Sequence, residues 1–335
     1  MPATTSLGAG VRDTMSGVRD VKLDPRDPSI VYATAWNNAI HRSAPSLEGG
    51  DPTFKPVFTI VGAQRMRDLA MFDLTVKDGR TRLYVYNGTE TTSAQGLYRL
   101  DNADVPAAAL VTCGGVLSNT PAWVSLTVNA TSSVGGTSRQ LCGAQCFYDL
   151  VVATPPDQPD TVIIGGQLTP TFGAPTLRST NAGASFSDFG SDAQTPRNDS
   201  HVDVRVVVFH PRNANIAFVG SDGGVVRNDG TFANITGRCS ALFNNAPLCS
   251  TMLAAVPSRL YFMNKGLQTL QFYNIALDPR APLSRMMGGL QDNSTVWRDG
   301  TGDGRTWRTV FPYGDGTSAS GFHPSRSEVL FASFQ

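Results

Sequence analysis

The sequence predicts an all-β protein, a β-propeller of four-stranded blades with about six blades, and three observations predict it. The apolar runs are too short for helices. In HVDVRVVVFHPRNANIAFVGSDGGVVRNDGTFANITG, residues 201–237, four such runs are each stopped by Gly, Pro, Asn or Asp. The pattern also recurs along the chain, as in RDVKLDPRDPSIVYATAWNNAIHRS (19–43) and FYNIALDPRAPLSRMMGGLQDNSTVWRDGTGDGRTWRTVF (272–311). A spacing of roughly 40–50 residues with four strands per unit is that of propeller blades. Finally, 33 Gly and 21 Pro supply the turns that such a chain needs. A lone meander cannot cover both of its faces, so the units must stack.

Residues 1–17 are small and polar and read as an irregular lead-in, and 18–335 as a single propeller domain. The first unit lies near 18–61, its fourth strand over Phe54–Val61. The second, near 68–112, carries the loop Asn87-Gly88-Thr89-Glu90 after its second strand. From Cys113 to Cys146 a segment rich in Ser, Thr, Gly and Asn reads as a loop insertion holding a strand at Ala122–Val128. Further units lie near 122–190, 201–237 and 271–311. In the connection 238–270, Ser250–Val256 suits one or two helical turns. The last unit, 315–335, supplies two strands, GFHPSRSEVLFASFQ (321–335). Residues 1–17 add an outer strand to a sixth blade, or the chain is a fragment of a larger propeller.

Twenty-seven Lys and Arg balance 27 Asp and Glu, and only 16% of residues are charged. That is not the basic footprint of a nucleic-acid binder. No apolar window of about 18 residues exists, so no membrane insertion is expected. The N-terminus lacks the basic and apolar blocks of a signal peptide, so the chain is cytoplasmic or its signal has been removed. The five cysteines favour the second. Cys239 and Cys249 flank a short loop, and closing a loop of about ten residues stabilises by about 3 kcal/mol. A second bridge is expected among Cys113, Cys142 and Cys146. A C-x3-C pair alone is a poor zinc site. Disulfides place the protein in a secreted or periplasmic setting, five unrelated buried thiols being the alternative.

A ligand site is expected where loops lead into inner strands or leave second strands. His201, Asp203, Asp222 and Asp292 stand at such positions as candidate catalytic groups. Asp20, Trp36, Asn37, Asp68, Asp149, Arg205, Gln291 and Asp315 are candidate ligand contacts. Paired carboxylates suit general acid and base work on a glycosidic bond. His201 and Asp203 at i and i+2 would share a strand face, where the acid orients the imidazole. The same Asp residues also suit corners of a meander, and Trp36 suits a core. His210 and His323 precede Pro where sibling units carry Asp, and read as turn residues. No cofactor is expected beyond a structural calcium ion on Asp-Gly turns, and no EF-type loop exists.

Ser179-Thr180-Asn181-Ala182-Gly183-Ala184-Ser185-Phe186 fits S-x-[DN]-x-G-x-[ST]-[WF], and Asp303–Trp307 and Asp229–Phe232 are shorter versions. With the Asp-Pro turns, these make the chain resemble the Asp-box (BNR-repeat) propellers, which include sialidases, xyloglucanases and sortilin-type receptors. In that motif Ser179, Asn181, Gly183, Ser185 and Phe186 are structural. The resemblance implies a carbohydrate or glycoprotein ligand and glycoside hydrolysis, or a non-catalytic scaffold. No F/Y-R-I-P stretch is present, although Arg19, Arg67 and Arg205 lie near the starts of inner strands.

Overall fold

The computed structural model describes residues 17–36, 38–43, 54–62, 67–105, 110, 123–127, 138–167, 173–239, 246–267, 270–301, 306–311, 314–326 and 328–333. The chain divides into two compact units, Met1–Lys265 and Gly266–Gln335.

The first unit holds four antiparallel four-stranded sheets. Sheet one is β1 (Val18–Leu23), β2 (Val31–Ala35), β3 (Ala39–Ser43) and β4 (Phe54–Thr59). Sheet two is β5 (Leu69–Lys77), β6 (Arg80–Gly88), β7 (Gly96–Leu100) and β8 (Trp123–Ser125). Sheet three is β9 (Val151–Ala153), β10 (Val162–Gly165), β11 (Thr176–Ser179) and β12 (Ser187–Asp188). Each is a simple meander in chain order. In the fourth, β13 (Val204–His210), β14 (Asn213–Ser221) and β15 (Gly224–Asn228) are followed out of order by β18 (Leu260–Phe262). In the second unit, β19 (Phe272–Leu277), β20 (Arg285–Leu290), β21 (Thr295–Asp299) and β22 (Arg308–Phe311) form a further four-stranded sheet. There β23 (Ser320–Phe322) and β24 (Leu330–Ala332) form a two-stranded one. The fold is thus the all-β, blade-built propeller architecture, with five full sheets and a half.

Neighbouring sheets pack face to face, and strand periodicity sorts their residues. Tyr84 and Tyr86 of β6 enter the core between sheets two and three, whereas Leu83 and Val85 enter the core between sheets one and two. Val162 and Ile164 of β10 face sheet two, and Ile163 faces sheet four. Successive side chains point to opposite faces, so strands buried on both read as unbroken apolar runs. Asp73 of β5 joins three sheets: Lys22 Nζ donates to its Oδ1 at 2.9 Å, and Thr154 donates its N–H and hydroxyl to Oδ2 at 2.6 and 3.0 Å.

Two strands lie where the sequence does not place them. The strand at Trp123–Ser125 closes sheet two by pairing with β7, rather than sitting in an insertion. The run after Asp229-Gly230 is not the outer strand of sheet four: β16 (Phe232–Ala233) pairs with β17 (Val256–Pro257) in a separate ribbon. Gly230 (φ +83°) turns the chain away, and Phe232 seats on the Arg178 guanidinium, 4.0 Å from the ring centroid. After an α-helix, α1 (Ala246–Met252), the chain returns to pair β18 with β15. The helix is expected at Ser250–Val256 and forms slightly earlier. No helix among the described residues is long and apolar enough to cross a membrane.

The corners repeat one device. The side chains of Asp24 and Asp278, each before a Pro, accept the N–H two residues on at 2.9 Å. His210 and His323 do the same through Nδ1, at 3.1 and 3.2 Å. An imidazole acceptor therefore replaces a carboxylate oxygen. In the turn after β11, Ser179 Oγ accepts from the N–H of Asn181 and Gly183, and Asn181 Oδ1 accepts from Ser185 N. Gly183 (φ +85°) permits the close approach, because a Cβ there would lie 2.4 Å from Leu126. Phe186 is buried beneath. The residues of the shorter Asp303 version before Thr306, and an added strand from residues 1–16, lie outside the described residues.

Cys142 bonds Cys146 and Cys239 bonds Cys249. The second closes the excursion that contains α1, and Cys113 lies outside the described residues. Alkylating the unreduced, denatured chain is expected to modify one of the five cysteines, four being bridged. Three or five modified thiols would contradict that pairing.

Candidate functional site

Four candidates of the first unit, Asp149, Asp203, Arg205 and Asp222, gather near the start of sheets three and four. Two tight turns lead into β9: the N–H groups of Tyr148 and Asp149 both donate to the Gln145 carbonyl, at 2.7 and 3.0 Å. The Cys142–Cys146 bridge lies just before them. This leaves Tyr148 half-buried and Asp149 fully buried. Gly166 then brings the next sheet close. A Cβ there would stand 3.1 Å from the Asp149 carbonyl oxygen, while the Gly166 carbonyl accepts from Val204 N at 2.9 Å. Asp203, in the left-handed conformation (φ +60°), immediately precedes that contact.

Both Asp149 carboxyl oxygens and Asp203 Oδ1 are buried without a hydrogen-bond partner. Burial, then the Asp203 carboxyl, and then the charge of Asp222 push the Asp149 pKa up to about 8. The Tyr148 hydroxyl donates to the Asp222 carboxylate, 3.1 Å from either oxygen. Burial and then that carboxylate raise the Tyr148 pKa, while Arg205 opposes them. The Arg205 guanidinium lies 4.1 Å from the Tyr148 ring centroid.

An aromatic strip continues from there. Phe147 lies 6.4 Å from Tyr148 and Trp36 lies 6.5 Å from Phe147, centroid to centroid, with the Arg67 guanidinium 4.8 Å above Phe147. Arg67 and Arg205 are exposed, and among the described residues neither has a carboxylate partner within ion-pair distance.

Other candidates fall elsewhere. His201 does not meet Asp203. Residues 201–203 precede β13, and the positive φ at Asp203 cancels the shared strand face expected of the pair. The His201 side chain lies instead on Gly223, where a Cβ would come within 2.5 Å of the ring, and Nδ1 donates to the Val202 carbonyl at 2.9 Å. It lines a cavity of about 390 Å³ with Asp199, Ser221, Phe262 and Asn264. Asp68 is buried and accepts the N–H of Glu90 at 2.8 Å, a corner role. Asp20 accepts Val21 N at 2.9 Å and lies 3.5 Å from Lys22. Asn37 lies outside the described residues.

In the second unit, Asp315 Oδ1 accepts the Tyr273 hydroxyl at 2.9 Å and Asp292 N at 2.8 Å. Gln291 is held by its own N–H on the Gln271 carbonyl at 2.9 Å. Tyr148 is the contact that strand-position reasoning misses. Its signal is in the repeat: Phe147-Tyr148-Asp149 leads into β9 and Phe272-Tyr273-Asn274 opens β19, and both tyrosines donate to an aspartate.

No protein-family model and no curated protein matches the chain. Among solved structures, the chain is similar to YCF48 from Cyanidioschyzon merolae at 11% identity and a TM-score of 0.29, covering 94% of this chain and 92% of that one. It is also similar to a putative 6-phosphogluconolactonase from Bacteroides uniformis at 13% identity and a TM-score of 0.34, covering 93% and 76%. At such scores neither likeness adds to what the sheets themselves establish.

Proposed function

We propose that this is an extracytoplasmic propeller that binds an acidic glycan on the strip formed by Trp36, Phe147 and Tyr148. The observation that carries this reading is the pair of exposed guanidinium groups, Arg67 and Arg205, lying on Phe147 and Tyr148 without a carboxylate partner among the described residues. Apolar ring faces suit the C–H faces of sugars, and a guanidinium fork suits a carboxylate or sulfate. The Asp222 carboxylate, already taking one hydroxyl from Tyr148, is a ready acceptor for sugar hydroxyls. The disulfides fit an oxidising compartment.

Titration against sulfated, uronic and neutral oligosaccharides tests it. Arg205→Ala is expected to weaken binding of the acidic members at least about tenfold, the scale of one lost charged hydrogen-bond pair. Equal binding of neutral and acidic sugars, or no binding at all, would refute the reading. Hydrolysis is a second reading, favoured by the raised pKa of Asp149, which keeps an acid protonated near neutral pH. It requires turnover of a bound glycan that Asp149→Asn abolishes while binding persists.

A further inference from the structure

We propose that Asp149 and Asp203 hold a calcium ion at the junction of sheets three and four. The inference stands whether or not the surface above them binds glycans. Asp149 is fully buried, and neither of its carboxyl oxygens has a hydrogen-bond donor. Buried carboxylates are otherwise satisfied, as Asp68 and Asp188 are in this same unit. Asp203 turns a third orphaned oxygen inward from the other sheet. Gly166 lies between the two residues, its Cα so near the Asp149 carbonyl that a Cβ would stand 3.1 Å from that oxygen, and its own carbonyl accepts the Val204 N–H.

Among the described residues no Lys or Arg lies within ion-pair distance of either carboxylate. Arg205 lies on the Tyr148 ring, and the Tyr148 hydroxyl is spent on Asp222. Two carboxyl groups in one buried socket need either a shared proton or a cation between them. The donor set decides which cation fits. The unpartnered atoms are all carboxylate oxygens, and the carbonyls of Leu141 and Asp149 lie close by, against Gly166. Among the described residues no three His, Cys, Asp or Glu side chains converge at metal spacing, so water and carbonyl oxygens would complete the shell. Calcium accepts such irregular, carbonyl-rich shells, whereas magnesium demands a near-ideal octahedron and zinc prefers nitrogen or sulfur.

The test uses the whole chain after treatment with a chelator, at pH 8. Calcium at a hundredfold excess over its Kd is expected to raise Tm by at least about 5 °C. Terbium is expected to luminesce on tyrosine excitation and to be displaced by calcium. Asp149→Asn and Asp203→Asn should each remove both signals while melting cooperatively. Absence of both signals in the unaltered chain would overturn the proposal without recourse to any variant. So would signals that survive in both variants, which would put the ion elsewhere. A magnesium-induced shift equal to that of calcium would overturn the choice of ion.

Discussion

Asp192→Ala is expected to destabilise the first unit by about 4 kcal/mol, a large part of the margin by which a domain is folded. Asp192 is buried and accepts four donors. Gln194 N and Asn198 N reach Oδ1 at 3.1 and 3.0 Å, and Asn198 Nδ2 and Leu260 N reach Oδ2 at 2.8 and 3.0 Å. Truncation strands those N–H groups and frees the start of β18, the strand that returns from the excursion to finish sheet four. Denaturant midpoints at constant slope would measure the loss, and a change below about 1 kcal/mol would show that water replaces the carboxylate at little cost. Burial alone would raise the Asp192 pKa, but the hydrogen bonds from Asn198, Leu260 and Gln194 outweigh it and lower the value. Its contribution is therefore present above the unfolded-state pKa, about 4, and is lost as pH falls through the lower folded value.

Asp149 behaves in the opposite sense. Its folded pKa rises from 3.8 to about 8, so the folded chain keeps a proton that the unfolded chain releases. In a chelator, this group is expected to lower stability by up to about 1.4 kcal/mol per pH unit between the two values, with no further loss above the higher one. Asp149→Asn should flatten that slope and leave the variant more stable than the parent at pH 8. A parent profile already flat from pH 5 to 8 would mean that Asp149 is ionised throughout and neutralised by some other group.

Much of this was legible before any coordinates. Sheets two and three are buried on both faces, which makes their strands short apolar runs, and the Gly, Asp and Pro corners fall where the pleats must end. The outer strand of sheet four was not legible. The segments around Phe232 and Leu260 are both short and apolar, and the choice between them depends on a distant acceptor, Asp192, and on the seat that Arg178 offers Phe232. At the site, Asp149, Asp203, Arg205 and Asp222 were readable from their places beside strands. His201 does not pair with Asp203 because the alternation of strand faces does not reach them: both precede β13, and Asp203 is in a left-handed conformation. Tyr148 escaped because its partner, Asp222, lies 74 residues away in the next sheet.

The Asp73 clasp has a bearing on how the first unit comes apart. Stacked repeats that touch only their neighbours fray from an end, one at a time. One carboxylate that takes a lysine from the sheet before and a threonine from the sheet after adds a next-nearest-neighbour coupling to that array. Sheets one to three then open as one block. Hydrogen exchange should report a single opening free energy for the amides of β2, β6 and β10, and Asp73→Ala should split it into a graded series that starts at sheet one.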